Sequence, residues 1–533
     1  MATAMNTIKN IVGVEKVVVN NIEMGNLTKS FYGNSYEYKV MNIYLRPYER
    51  LQCLCPKCMK KMPIYDHAQD SYSHWRAANL NGIPVYLNYR PARIECPEHG
   101  VLTEYIPWSD GNDRFTETFN NEIAFMATKL SKQLISYYYL INWRTVGNCI
   151  QSACDRLEPD KSRRLEGIKR ICVDETSIAK GYKYITVVYD MDTNRVVWVS
   201  QGHGREIFSK FCLTLNEEQR NNIEIVAGDG AKWIDSCTTD YFPNAVRCID
   251  PFHSVSWAVE ALDNVRKESV RKARVEYNKA CQTYKEQQEL AQKTIVEEKN
   301  KEAINTMSKD DTEKKEEYIA NVESLASGDD YKSLFTVKKD EMTDEQKSVI
   351  LELEEKSDIL KSSRYAISKN PENLTENQQA KLELIKCSCK EVYTAYEYKE
   401  AFRIIIHMKD VKAARIELDA WIERALASGI KQIVKLAQKI IRNKEGILMS
   451  IQYHANSAKS ESCNSLIKQL IFLAKGFRNF NNLKSLIFLK CNDEEVPLRN
   501  RPHLSGEEMQ QIRAIRNMKR RMREEAKREA ISA

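Results

Sequence analysis

The sequence predicts an α/β protein in which a mixed sheet forms the core and a long helical segment interrupts it. Between Arg170 and Asp250, branched and aromatic residues form short runs that alternate with turn residues and with helical spacing. From Val265 to Ile430 the chain is highly charged and almost free of Gly and Pro, which favours helices. A Cys-Cys pair and a Cys-His pair in an earlier β-rich stretch predict an additional N-terminal metal-binding domain.

The composition sets broad limits on function. The 533 residues include 81 Lys and Arg and 74 Asp and Glu, a formal charge of +7. This mild excess suits a nucleic-acid partner without requiring one. We expect no membrane association, because no apolar run approaches the roughly 18 residues needed to span a bilayer. The first residues carry no signal-peptide pattern, so the fifteen cysteines are expected to be reduced thiols.

The β-rich stretch 30–110 contains two motifs of metal-ligand spacing. Cys55 and Cys58 form one pair, and Cys96 and His99 form the other, each with two intervening residues and each beginning Cys-Pro. Thiolates and an imidazole at this spacing can bind one tetrahedral zinc from two tight turns. The alternative is two unrelated turns with buried cysteines. Other residues could supply the fourth ligand: Cys53, His67 and His74.

The segment 111–165 changes to helical spacing. Thr116 or Thr118 is placed to cap a first helix, and Asn142 a later one. Two or three short helices of this kind are compatible with a helix-turn-helix that contacts DNA phosphates. The basic residues available for those contacts are Lys129, Lys132, Arg144, Arg163 and Arg164. A plain helical linker explains the pattern equally well.

Five strands are predicted in the core. They are Arg170–Ile178, Tyr182–Asp190, Arg195–Ser200, Ile223–Asp229 and Ala245–Asp250. The first three are joined by tight turns and should be antiparallel. The last two each follow a helix and should run parallel to the first.

Two acids mark the ends of these strands. Asp174 interrupts the first strand, and Asp229 ends the fourth. If these strands are neighbours, the two carboxylates meet at a sheet edge of the kind where α/β proteins bind ligands. Close carboxylates repel unless a cation lies between them, and oxygen ligands select Mg²⁺ or Mn²⁺. The alternative is a pair of solvated acids in separate loops.

The C-terminal third is predicted to be helical. An antiparallel hairpin should occupy the charged segment, with breaks at 324–331 and 369–375. Later, Glu461, Asn464 and Lys468 have the spacing of one helix face. Glu461 either completes the metal site or simply favours the helix N-terminus through the helix dipole. The tail from Gln511 to Arg528 is a basic helix that either contacts nucleic acid or remains unbound.

Several motifs together resemble the ISL-three transposases of bacterial insertion sequences. They are VDETSIAKGYKYITVVYD, AGDG before a helix, DPFH, SRYAISKNPENLTENQQAKL, and ESCNSLIK followed by KGFRNF. The CPKC and CPEH pairs resemble the N-terminal zinc-binding domain of that family. His99 departs from the fourth cysteine common there, and Ser462 and Ser465 replace the Gly and Asn usually found near the glutamate.

The resemblance implies a DDE transposase with an RNase H-like core. By motif, the triad is Asp174, Asp229 and Glu461, with Mg²⁺ or Mn²⁺ as cofactor, one structural zinc, and Lys468 as a further DNA contact. The implied partners are the terminal inverted repeats and target DNA, bound by a homo-oligomer in the bacterial cytoplasm at the nucleoid. The implied domains are 30–110 (zinc), 111–165 (helix-turn-helix-like), 166–264 (core), 265–430 (insertion), 431–492 (core with Glu461) and 493–533 (basic tail).

Other functions remain open from the sequence. One is a metal-dependent nuclease, or an inactive or domesticated descendant that only binds DNA. A second is a regulator that uses the zinc and helix-turn-helix regions alone, and a third is a coiled-coil protein built on 265–330. The three acids, each within its own motif, favour the transposase.

Overall fold

The protein divides into two compact units in the computed structural model. One consists of Met1–Arg247 with Ser457–Ala533, and the other of Cys248–Asn456. The structure describes residues 2–31, 34–67, 71–110, 113–179, 181, 183–306, 342–455, 458–492 and 496–498, with scattered positions between 508 and 522. The predicted helix break at 324–331 and most of the basic tail fall outside these ranges. None of the helices described combines the length and apolar character needed to cross a membrane.

The first unit begins with a helix and two small sheets. The helix is α1 (Ala2–Val12), and the strands are β1 (Val17–Phe31), β2 (Asn34–Pro47), β3 (Ile64–His67), β4 (Ser73–Leu80), β5 (Ile83–Tyr89), β6 (Ala92–Cys96) and β7 (Gly100–Thr103). A four-stranded sheet has the order β1-β2-β5-β4, and a three-stranded sheet has the order β3-β6-β7. The larger sheet therefore includes a strand upstream of residue 30. Its core buries Trp75 and Trp108, whose rings meet edge to face.

Three helices follow these sheets. They are α2 (Glu117–Ala127), α3 (Lys132–Tyr139) and α4 (Trp143–Leu157). The Thr116 side chain accepts from the Phe119 N–H, and the Asn142 side chain accepts from the Arg144 N–H, so both predicted capping positions are confirmed. Apolar residues at helical spacing, such as Val146 and Ile150 of α4, are buried.

The predicted mixed sheet is present in the same unit. Its strands are β8 (Arg170–Ala179), β9 (Lys183–Asp190), β10 (Arg195–Gln201), β11 (Ile225–Gly228) and β12 (Val246–Ile249). The order is β10-β9-β8-β11-β12. As predicted, β8, β9 and β10 pair antiparallel, and β11 pairs parallel to β8. The linking helices are α5 (Arg205–Thr214), α6 (Glu217–Asn222) and α7 (Lys232–Tyr241).

The mixed sheet is stabilised by apolar packing on both sides. Val173, Val188 and Val226 are buried against Phe208 and Phe211, the apolar face of α5. Further helices of the unit come from much later in the chain, the first of them following residue 457. This long return explains how residues near 174 and near 461 belong to one compact unit.

The second unit is helical apart from the end of β12. Its helices are α8 (Pro251–Thr306), α9 (Asp344–Ser362), α10 (Arg364–Ser368), α11 (Glu376–Ser388), α12 (Lys390–Ile406), α13 (Val411–Ala427) and α14 (Lys431–Gln452). Arg266 donates to the Leu360 carbonyl (3.1 Å) and Gln346 donates to Gln287 (3.2 Å), so α8 and α9 form the predicted antiparallel hairpin. The unit extends beyond 265–430, because Ile433 and Ile440 of α14 are buried in its core.

The last two helices described in the first unit are α15 (Ala458–Ala474) and α16 (Phe480–Cys491). Helix α15 packs on β8, and α16 packs on β10 and α4. Just after α16, the Asn492 side chain accepts from the Val196 N–H (2.7 Å) and donates to the Val196 carbonyl (3.0 Å). These bonds satisfy the backbone of the edge strand β10 and fix α16 against the sheet.

Candidate active site and zinc site

Asp174 and Asp229 are brought together by strand register. Strands β8 and β11 are parallel neighbours, with Val173 opposite Gly228. The next residue on each strand is therefore Asp174 or Asp229. Because neighbouring strands lie about 4.8 Å apart, the two acids occupy adjacent positions at one edge of the sheet. The strand adjacency that the sequence analysis required is confirmed.

Gly228 permits this close approach. A Cβ atom built at Gly228 would lie 3.0 Å from the Val173 carbonyl oxygen and 2.9 Å from the Ile234 side chain. The Asp229 side chain then accepts from the Ala231 N–H (3.0 Å), and Arg247 donates to the Asp229 carbonyl. The turn that carries Asp229 is thus fixed both by its own side chain and by a guanidinium from β12.

Asp174 is linked directly to the helix that carries Glu461. Asn464 of α15 donates through Nδ2 to the Asp174 carboxylate. Its Oδ1 accepts from the Thr176 hydroxyl (2.7 Å) and the Tyr189 hydroxyl (3.2 Å). Two hydroxyl donors on Oδ1 determine which way the amide points, so Nδ2 must face Asp174. Glu461 is half-buried and lies one turn before Asn464 on the same helix face.

Strand alternation separates the partners of Asp174 from those of Glu175. Asp174 and Thr176 lie on the face of β8 that meets α15, whereas Glu175 points to the opposite face. There Glu175 accepts from the Gly204 N–H (2.8 Å) at the start of α5. Burial raises the pKa of the Glu175 carboxyl, and the nearby charges of Asp229 and Asp174 raise it further. The edge of the sheet is therefore strongly acidic.

The acidic edge is less compact than a closed metal site. Among the described residues, one group of three or more Cys, His, Asp or Glu residues has all its ligand atoms within 4.8 Å of one another. That group does not include Asp174, Asp229 or Glu461. The structure places Asp174 on β8, Asp229 directly after the adjacent strand β11, and Glu461 on the helix that contacts Asp174. Such a set of oxygen ligands suits a divalent cation such as Mg²⁺.

The compact set is Cys55, Cys58, Cys96 and His99. Sulfur to imidazole Nδ1 distances are 3.7 Å from Cys55 and 3.4 Å from Cys96, and the Cys58 and Cys96 sulfurs are 3.9 Å apart. Tetrahedral zinc with ordinary bond lengths separates two sulfurs by about 3.8 Å, and sulfur from nitrogen by about 3.5 Å. The four side chains therefore could hold a zinc ion.

The surrounding backbone explains why these ligands converge. The Cys55 carbonyl accepts from the Met59 N–H (2.9 Å), and the Cys96 carbonyl accepts from the His99 N–H (3.3 Å), which closes a tight turn at each pair. Backbone N–H groups of Cys58 and Lys57 lower the pKa of the Cys55 thiol to about 6, which favours the thiolate that binds metal. The alternative ligands Cys53, His67 and His74 are outside the set.

The predicted DNA-contacting residues differ in exposure. Lys129, Arg144, Arg163 and Lys468 are exposed. Lys132 is half-buried, and burial lowers its pKa to about 8. The Arg164 guanidinium hydrogen-bonds to Glu158 and lies 3.4 Å from the centre of the Phe488 ring. Arg164 therefore has partners within the protein. The exposed Arg144 also has one, because its guanidinium lies 5.8 Å from the centre of the Trp143 ring.

Some residues at the acidic edge were not identified from the sequence. Tyr189 and Arg247 lie in strands whose pattern is explained by burial alone, and only the fold shows their contacts with Asn464 and Asp229. Asn464 was noted for sharing a helix face with Glu461, but helical spacing does not reveal a bond to Asp174. The fifteen cysteines all lie in described ranges and none forms a disulfide, as expected for reduced thiols.

Comparison with known proteins identifies relatives over most of the chain. Residues 171–325 and 331–487 match the family model of the ISL-three DDE type, described as transposase. The transposase for insertion sequence element IS1557 of Mycobacterium tuberculosis is 29% identical over 468 residues, which cover 86% of this chain and 91% of that protein. The transposase for insertion sequence element IS1001 of Bordetella parapertussis is 20% identical over 459 residues, covering 83% and 89%.

Proposed function

Because the chain belongs to the ISL-three family of DDE transposases, we propose that it cleaves DNA at the ends of an insertion sequence and joins them to target DNA. The proposed metal-binding carboxylates are Asp174, Asp229 and Glu461, with Mg²⁺ or Mn²⁺ as the cation. The mixed sheet with its covering helices is proposed as an RNase H-like catalytic core. The Cys55, Cys58, Cys96 and His99 set is proposed to bind one structural zinc.

One observation carries the assignment of the carboxylates. The register Val173–Gly228 gives Asp174 and Asp229 adjacent positions, and Asn464 connects Asp174 to the helix of Glu461. Asp174 and Asp229 lie 55 positions apart in the sequence, and Glu461 follows Asp229 by 232 positions. Acids with no shared role would have no reason to occupy adjacent positions at one edge of a sheet, with a third acid on the helix that contacts one of them. A common ligand of opposite charge provides that reason.

Different residues of the proposed site would bind the cations, orient Asp174 and contact the DNA. When bound, divalent cations activate the attacking oxygen and stabilise the leaving oxygen of a phosphodiester. Asp174, Asp229 and Glu461 would hold them. Asn464 holds the Asp174 carboxylate in one orientation through its bonds to Thr176 and Tyr189. Lys468, two turns after Glu461 and exposed, is proposed to contact a phosphate of the bound strand.

The proposed DNA-binding surface comprises helices α2 to α4. Their number, their short connections and the exposed Lys129, Arg144 and Arg163 support a helix-turn-helix that contacts terminal repeat DNA. Lys132 and Arg164 would be less accessible to DNA phosphates. Lys132 is half-buried, and Arg164 hydrogen-bonds to Glu158. Joining two transposon ends requires two bound ends, so we propose that the protein acts as a homo-oligomer on DNA.

The decisive experiment compares Asp174→Asn with Asp192→Asn. Asp192 lies in the turn after β9, pairs with Arg170 (3.3 Å), and is a surface control in the same sheet. DNA carrying the inverted repeats that border the coding region is incubated with each protein and Mg²⁺. Asp174→Asn should lower cleavage and strand transfer by at least about 10³-fold, because it removes a metal-binding charge. Asp192→Asn should react like the wild type.

Gel-shift binding to the same DNA tests whether Asp174→Asn remains folded, and its affinity should be unchanged. Cleavage by Asp174→Asn at the wild-type rate would refute the assignment of the triad. A wild-type protein that binds the repeats but neither cleaves nor joins DNA would instead support an inactive, DNA-binding descendant.

A further inference from the structure

A basic pocket lies within the first unit, between α4, the 3₁₀ turn Lys161–Leu165 and α16. Its volume is about 230 Å³. Three cationic residues, Lys161, Arg164 and Lys484, line it together with the acid Asp155. Ser485 and Phe488 also contribute to the lining. Like charges repel, so a concave surface that collects three cations is unfavourable unless anions balance them.

The acids of the protein balance only two of these cations. Lys161 pairs with Asp155 at 2.7 Å, and Arg164 hydrogen-bonds to Glu158 at 2.9 and 3.0 Å. Lys484 makes no hydrogen bond or ion pair with any residue that the structure describes. Burial lowers the pKa of Lys484, and the Arg164 and Lys161 charges lower it further. The pocket thus retains one uncompensated, half-buried ammonium.

Lys490 provides a matched comparison on the same helix. It is also half-buried, and burial also lowers its pKa. Unlike Lys484, it donates to the Thr128 carbonyl (2.7 Å) and to Gln469 (3.1 Å). Hydrogen bonds therefore stabilise the Lys490 ammonium within the fold. The Lys484 ammonium is also desolvated but lacks that compensation. This destabilises the protein and is typical of a group that binds a ligand.

We propose that this pocket binds a phosphate group of DNA, with Lys484 as its principal ligand. Phosphate oxygens accept several hydrogen bonds and carry the negative charge that would balance Lys484. Lys161 and the Ser485 hydroxyl are available on the pocket wall as secondary donors. The choice of DNA as the source of the phosphate rests on the proposed transposase function. A free phosphorylated compound would satisfy the same chemistry, and the experiments distinguish the two.

The first experiment measures thermal unfolding of the full chain against inorganic phosphate at constant ionic strength. The melting temperature of the wild type should rise with phosphate, because a ligand that binds only the folded state stabilises it. Lys484→Met keeps the apolar stem and removes the charge. It should melt above the wild type without phosphate and should not respond to phosphate. Lys490→Met should melt below the wild type and keep the response. An equal phosphate response in wild type and Lys484→Met would overturn the proposal.

The second experiment measures DNA affinity as a function of salt. If the phosphate belongs to DNA, Lys484→Met should weaken binding of terminal repeat DNA and reduce the slope of log affinity against log salt by about one. An unchanged slope, together with a lost phosphate response, would assign the pocket to a free phosphorylated compound and exclude DNA. Neither measurement depends on strand cleavage. A pocket that does not bind phosphate would therefore leave the Asp174→Asn cleavage test unaffected, and failure of the cleavage test would leave the pocket proposal unaffected.

Discussion

The zinc set and the acidic edge are assembled in opposite ways. Cys55 and Cys58, like Cys96 and His99, lie in one tight turn each, and four ligand atoms converge within 4.8 Å. Asp174 lies on β8, Asp229 follows β11, and Glu461 lies on a distant helix. Their proposed convergence depends on strand register and on the packing of α15 on β8. A site of short turns is specified locally. A site of distant elements is specified by the whole fold, so its geometry depends on residues that never touch the ligand.

The largest effect should follow removal of a zinc ligand. Cys58→Ser replaces a thiolate, and we expect loss of the bound zinc together with disorder of the small sheet β3-β6-β7. Structural zinc binding contributes roughly 10–16 kcal/mol of folding free energy in isolated zinc-finger peptides, and this sheet has a small core of its own. Zinc per chain, measured by mass spectrometry, should be near one in the wild type and near zero in the variant.

Cys387→Ser is the control for that experiment, because Cys387 is exposed in the helical unit. It should retain zinc and thermal stability. If the purified wild type carries less than half a zinc per chain, the four side chains do not form a zinc site in solution. The contrast between a metal site formed by local turns and the acidic edge would then no longer hold.

An intermediate effect should follow loss of the amide that orients Asp174. Asn464→Ala leaves Asp174, Asp229 and Glu461 in place but removes the donor to Asp174. Residues that orient metal ligands typically contribute about 10–100-fold to metal affinity, and we expect a loss of that size for Mn²⁺. Electron paramagnetic resonance of free Mn²⁺ measures the affinity without any need for catalysis. Ser465→Ala, at an exposed position of the same helix, should bind Mn²⁺ like the wild type.

A second variant separates orientation from general stability. Thr176→Val removes one of the two hydroxyls that determine the direction of the Asn464 amide. It should reduce Mn²⁺ affinity less than Asn464→Ala does, since the Tyr189 hydroxyl still donates to Oδ1. Mn²⁺ affinities that follow melting temperature across these variants, rather than the loss of particular hydrogen bonds, would contradict an orienting role.

The sequence predicts a site formed by local turns better than a site formed by distant elements. Two-residue spacing identified all four zinc-set positions, because the turn that closes each pair is contained in the motif. The five strands were also predictable, with boundaries within about two residues, because branched and turn residues alternate clearly. Their register was not, since it emerges from packing of the whole sheet. The resemblance implied that residues 431–492 belong to the core, yet α14 lies in the helical unit, where Ile433 and Ile440 are buried.

Lys484 illustrates the limit most clearly. In the sequence it is one of many lysines beside apolar residues. Only the approach of α4 and α16 reveals that it lies near the Arg164 and Lys161 charges, and it forms no ion pair with an acid that the structure describes. A local motif predicts a site whose ligands all lie in one turn. Sequence spacing does not predict a site that forms where two helices pack together.

The smallest effect concerns Glu175, on the face of β8 opposite Asn464. Burial raises the pKa of this carboxyl above its unfolded value, so the folded state holds the proton more tightly. The free energy of unfolding should therefore fall as pH rises from the usual range of a glutamate through the raised pKa. Glu175→Gln keeps an acceptor for the Gly204 N–H and removes the charge beside Asp229 and Asp174.

Glu175→Gln should consequently unfold at a higher temperature than the wild type at pH 8, where the wild-type carboxylate is ionised. The difference should shrink as pH is lowered through the raised pKa, because protonation removes the same charge from the wild type. Thermal unfolding of both proteins at a series of pH values, without divalent cations, measures this. A difference that is independent of pH would mean that Glu175 does not sense the acidic edge, and the repulsion ascribed to Asp174 and Asp229 would have to be weaker than their adjacent positions imply.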